Sequence, residues 1–75
     1  MTKAKEILAR GRRNRVGFLL LRTAGFSAKE TCALLGVSPK TGEWHWLRIQ
    51  EATGLRSIWQ LAEMVRTVPQ SGWPV

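Results

Sequence analysis

The run KTGEWHWLR, residues 40–48, gathers the side chains of this chain best suited to chemistry. Lys40, Thr41 and Arg48 can donate hydrogen bonds to phosphates or to guanine. Glu43 can accept from a cytosine amino group, and Trp44 and Leu47 can cover a thymine methyl or a sugar. Trp44 and Leu47 with Glu43 and Glu51 beside them would equally suit a protein surface, where tryptophan is enriched at the residues that dominate binding. His45 is the single histidine, and the chain has no aspartate and no tyrosine. General acid–base work needs positioned partners that are missing here, so the expectation is a hydrogen-bonded structural histidine and no enzyme. No phosphate loop or metal-ligand spacing occurs, and neither a cofactor nor a metal is expected. Cys32, the one cysteine, cannot form an internal disulfide, which agrees with a reducing compartment and a buried, inert thiol.

Charge narrows the partner. The chain carries +7 over 75 residues, and residues 1–15 hold +5 of it through Lys3, Lys5, Arg10, Arg12, Arg13 and Arg15 against Glu6. The remainder holds only +2. A basic arm of this kind suits a polyanion, because each phosphate it neutralises releases condensed counterions. Double-stranded DNA is therefore the expected partner, a membrane is not, and the expected location is cytoplasmic and nucleoid-associated. The longest apolar run, Phe18 to Leu21, is far short of the roughly 18 residues that cross a bilayer, and no signal-peptide pattern follows the basic start.

These residues must be positioned by helices, since strand-like alternation persists nowhere. The first is expected from about Asn14 to Thr23, with Val16, Leu19 and Leu20 at helical spacing, Phe18 and Leu21 widening the apolar side and Gly25 ending it. An earlier segment, Lys3 to Arg10, is either a separate turn or a continuation past Gly11, so the all-α fold has four helices, or five. SAKE opens the next helix with Ser27 as N-cap and Glu30 three residues on, and Gly36 stops it. Ser38 and Pro39 start a third helix, to about Ala52, closed by Gly54. Ser57 caps a fourth, whose stripe of Ile58, Leu61, Ala62 and Val65 runs until Pro69. The expected organisation is a basic arm at 1–13, a helical domain at 14–68 and an irregular tail at 69–75, in which Trp73 either packs back or stays loose.

At about 100° per residue, Gly42, Trp46, Ile49 and Thr53 share the side of the third helix that packs inward. Trp46 is expected in the core, covering the turn where Gly42 has no side chain. Lys40, Glu43, Trp44, Leu47, Arg48 and Glu51 share the opposite side. Trp44 is thus expected to be exposed, with DNA, a protein or Trp73 as its neighbour.

Two short helices joined by a turn containing Gly36 make a helix-turn-helix candidate, and the order of residues sharpens it. The stretch AGFSAKETCALLGVSPKTGEWHWLRIQEATGL resembles the LuxR/GerE type of helix-turn-helix. Gly25, Ser27, Lys29, Glu30, Leu35, Ser38, Lys40, Thr41, His45, Ile49 and Gly54 fall on that family's positions without gaps, over about half the chain. Thr31 and Cys32 stand where the family has Ile-Ala, and Gly42 stands where it has Val. The sigma-factor region that contacts the minus-35 promoter element has a related pattern, but Gly54-Leu55 followed by a fourth helix favours LuxR/GerE.

The resemblance implies a sequence-specific DNA-binding regulator of transcription, bacterial or phage, whose helix 38–52 enters the major groove through Lys40, Thr41, Glu43, Trp44, Leu47 and Arg48. Ser27, Lys29, Lys40 and Thr41 would position phosphates, and Arg10, Arg12, Arg13 and Arg15 would add backbone or minor-groove contact. Residues 1–25 leave no room for a sensor domain, so a stand-alone regulator is expected. The fourth helix often mediates dimerisation in that family. Here Ile58, Trp59, Leu61 and Met64 would form a homodimer interface, with Trp59 and Met64 the surplus apolar groups. The competing expectation is a helix-turn-helix reused to bind protein through Trp44 and Leu47, as an antiactivator or a module docking on a regulator or RNA polymerase.

Overall fold

The computed structural model describes residues 15–75, and over that range the protein is all-helical. Helix α1 spans Arg15–Thr23, α2 Ala28–Leu35, α3 Pro39–Thr53 and α4 Ile58–Thr67, and a 3-10 turn follows at Gln70–Gly72. Asn14, the segment Lys3 to Arg10, and Arg10, Arg12 and Arg13 of the arm lie outside the described residues. No helix of the described residues is long and apolar enough to cross a membrane.

Local chemistry sets the helix ends. At α2, Ser27 Oγ accepts from the Glu30 N–H at 3.1 Å while Glu30 Oε1 accepts from the Ser27 N–H at 2.8 Å, so two otherwise unpaired donors are satisfied reciprocally. Ser57 and Gln60 repeat the arrangement at α4. Pro39 stands at the start of α3, behind the Ser38 cap. Gly36 adopts φ 71°, a left-handed conformation open to glycine at little cost, and the Val37 N–H then bonds back to the Cys32 carbonyl at 3.0 Å. That reversal compresses the link between α2 and α3 to Gly36, Val37 and Ser38.

Helix α1 is the pivot, packed by α2, α3 and α4. Its Phe18, Leu19 and Leu21 are essentially inaccessible and join Cys32, Leu35, Ile49 and Leu61 in one core. Burial of each such Leu, Ile or Phe side chain stabilises the fold by roughly 1.5–3 kcal/mol. The expected stripe of Val16, Leu19 and Leu20 is shifted: Val16 and Leu20 are half-buried, and Phe18 and Leu21 lie innermost beside Leu19. Three helices share this face of α1, so the innermost positions are set by where they meet it and not by periodicity alone.

Of the two placements expected for Trp73, it takes the one packed back on the helices. Trp73 Nε1–H donates to the Val68 carbonyl at 2.8 Å, closing the 3-10 turn, and Trp73 and Val75 pack against the core. Trp73 settles in a shallow pocket with Leu20 and Val65.

Candidate nucleic-acid interface

The α2–turn–α3 unit presents one side of α3 to the core and one to solvent. Gly42, His45 and Ile49 are buried, a three-then-four spacing that fixes the inner face. At Gly42 the backbone of α3 comes so near α2 and α1 that an added Cβ would run into Cys32 Sγ and approach Phe18 Cε2 to 3.2 Å. The glycine therefore accommodates Cys32 and Phe18, and the expected pairing of Gly42 with Trp46 is corrected. Trp46 itself is half-buried rather than in the core. With the closest approach at Gly42, the ring four residues on is left at the edge of the packed face, where the Arg22 guanidinium stacks 5.1 Å from it.

His45 takes the inward position instead. Its ring lies 5.9 Å from that of Phe18 and 5.4 Å from that of Trp44. Nδ1 is buried without a hydrogen-bond partner among the described residues, contrary to the hydrogen-bonded histidine expected. Burial, and secondarily the nearby Arg15 charge, hold its pKa below the usual histidine value. Burial thus favours the neutral imidazole, held as a ring in an aromatic cluster.

The outer face matches the expected residues. Lys40, Thr41, Glu43, Trp44, Leu47 and Arg48 are all exposed, Trp44 by 49% and Leu47 by 50%. Large apolar groups so open are costly to hydrate and suited to being covered by a partner. Ser38 Oγ caps the Thr41 N–H and donates to Thr41 Oγ1, fixing that hydroxyl at the start of the helix. Arg48 lies 5.4 Å from the centre of the Trp44 ring and also pairs with Glu51 at 3.2 Å, so its charge is partly answered within α3.

Arg15 belongs to the same surface. Expected within a helix from about Asn14 and counted with the arm for its charge, it opens α1, and its guanidinium stands 5.9 Å from the Trp44 ring. Arg15 thus sets the start of α1 beside the exposed face of α3. The stacks of Arg15 on Trp44 and Arg22 on Trp46 depend on how α1 crosses α3, for which the sequence offers no local signal. Trp73 does not cover Trp44; it is occupied at Val68 and Leu20.

Ser27 and Lys29 are exposed at the start of α2. Ser27 Oγ already accepts one hydrogen bond as a cap, leaving its hydroxyl hydrogen to donate. Of the residues expected at a dimer interface, Leu61 is removed: it is wholly buried in its own protomer's core. Ile58 is half-buried, Met64 is half-buried and packed on the core, and Trp59 alone stands out, 81% exposed.

Compared with models of known protein families, with curated proteins and with solved structures, the chain matches none.

Proposed function

We propose that the protein is a sequence-specific DNA-binding regulator of transcription, with a helix-turn-helix of LuxR/GerE type and α3 as the helix that enters the major groove. The observation that carries this reading is the exposed outer face of α3, where Lys40, Thr41, Trp44, Leu47 and Arg48 stand together behind a capped, three-residue turn. A helix so presented fits the major groove, and those side chains can read base edges and hold phosphates. Arg15, stacked beside Trp44, adds a further positive charge next to the exposed face of α3. Ser27 and Lys29 would hold phosphates next to it. Arg10, Arg12 and Arg13 would extend contact along the backbone, making binding strongly salt-dependent.

Selection of bound duplexes from a random-sequence pool, with and without residues 1–13, tests this. A shared site that survives loss of the arm is expected. Binding that is only salt-sensitive and vanishes with the arm would remove α3 from the interface.

A second reading is supported by the same face: Trp44 and Leu47 are half-exposed, Glu43 and Glu51 border them, and Arg48 is already paired. Such a face would suit a protein partner in the transcription machinery. Under this reading Trp44→Ala abolishes capture of that partner while weak DNA binding persists.

A homodimer would place two α3 helices about one DNA turn apart on a partly palindromic site. Trp59 is the residue that supports it, and Trp59→Ser should shift the mass measured by sedimentation from dimer to monomer. A monomeric parent protein would end the dimer reading.

A further inference from the structure

Between α1, α2 and the first turn of α3 lies a half-open groove of about 410 Å3, which meets the outer face of α3 at Glu43. We propose that it binds a small amphipathic carboxylate, an aromatic body seated on the groove floor with its acid group at the rim. This goes beyond the DNA-binding reading and does not depend on it.

The floor is apolar. Phe18, Cys32 and Gly42 form it, and the missing side chain at Gly42 brings α3 close to the thiol. Trp46 supplies a flat wall that the core leaves half-open. The volume lies within the roughly 300–1,000 Å3 usual for small-molecule sites, which are mostly apolar with a few polar groups to orient the ligand.

The rim is cationic. Arg22 spends one N–H on the Phe26 carbonyl at 3.0 Å, and its guanidinium lies over Trp46. Lys29 is exposed. Neither forms an ion pair among the described residues, whose paired carboxylates are Glu51 with Arg48 and Glu63 with Arg66. Glu43 is the one acid on the lining, so the balance stays positive. Ala28 and Lys29 open α2 and Pro39 opens α3, and the aligned peptide dipoles add partial positive charge at both helix ends.

That combination selects the ligand. A bare phosphate would use the rim and leave the floor bare. An apolar cation would meet Arg22 and Lys29. An aromatic carboxylate satisfies both halves and bridges α1, α2 and α3.

Titration of the full chain with 2-naphthoate, followed by two-dimensional NMR, tests the proposal. Saturable shifts of the Gly42 amide and the Trp46 indole N–H are expected, while the Trp59 indole stays still. Binding should weaken roughly tenfold with 2-naphthylmethanol, which lacks the charge. Lys29→Glu should weaken naphthoate binding, and Ala28→Phe, at an exposed lining position, should block it. Absence of saturation overturns the proposal. So does equal binding of the alcohol, or binding unchanged in either folded variant. Inorganic phosphate producing the same shifts with equal strength would also overturn it, giving the rim to a DNA backbone instead.

Discussion

Along α3, Gly42, His45 and Ile49 face the other helices while Trp44, Leu47 and Arg48 face away, and the two sets differ in more than burial. The inner set contains the smaller groups, fitted against Cys32 and Phe18 with no space for one further carbon at residue 42. The outer set contains a large ring and a leucine, each about half-exposed, and charges answered only at the surface. Size does not sort side chains between core and surface here. What sorts them is the line along which α1 and α2 meet α3, and the outer face keeps the groups for which the fold has no use.

The widest separation between the faces should appear on deleting apolar atoms from each. Ile49→Ala removes a fully buried side chain and should cost about 2–5 kcal/mol. A 75-residue domain has a total stability on the order of 4–11 kcal/mol, so much of it would be lost. Leu47→Ala, half-exposed already, should cost less than about 1 kcal/mol. Urea denaturation followed by circular dichroism reads both, and equal costs would break the distinction between the faces.

A smaller effect tests the fit itself. Gly42→Ala gains helix propensity of about 1 kcal/mol but drives a methyl into Cys32 Sγ, and overpacking of this kind costs typically about 1–3 kcal/mol. Cys32→Ala in the same chain removes that sulfur, so the double variant should be more stable than the two single changes predict, with a coupling of about 0.5–3 kcal/mol. Simple additivity in the denaturation cycle would mean that the close approach is not what requires glycine.

His45 adds a pH dependence to the inner face. Burial and Arg15 lower its folded-state pKa, so the unfolded chain binds the proton more readily. Its share of stability is therefore complete above the unfolded value of about 6.5 and is lost as pH falls through the folded pKa. Thermal unfolding between pH 8 and pH 5 should show Tm falling on the acid side, and His45→Leu should flatten that limb. A parent and a variant with parallel profiles would contradict this account of the histidine.

The helix ends were legible in the sequence because capping is local: Ser27, Ser38, Ser57, Gly36 and Gly54 each act within a few residues of where they stand, and α3 ends only one residue beyond the expected Ala52. The outward position of Trp44, Leu47 and Arg48 followed from helical period. Helical period could not choose between His45 and Trp46 for the inner face. They are adjacent, and the choice rests on the approach of α3 to Cys32 and Phe18 at Gly42. The Arg15 and Arg22 stacks, the packing of Trp73 and the loss of Leu61 from the interface likewise depend on contacts between elements distant in sequence.

The smallest change in stability is the most informative about the outer face. Arg48 and Glu51 are both about half-exposed and lie three residues apart, a pairing worth no more than about 1 kcal/mol. Glu51→Gln should therefore leave Tm nearly unchanged while removing a negative charge and releasing Arg48. If α3 lies on DNA, the released guanidinium gains a phosphate or base contact, and affinity for a selected duplex rises while its dependence on salt steepens. If Glu51 instead faces a protein, the same substitution removes a contact, and capture of that partner weakens. Duplex affinity measured at two salt concentrations reads the first outcome, and partner capture reads the second. A variant that binds the duplex no better than the parent would show that Arg48 is not held back by its pairing, and the argument for α3 in the groove would then rest on Lys40, Thr41 and Trp44.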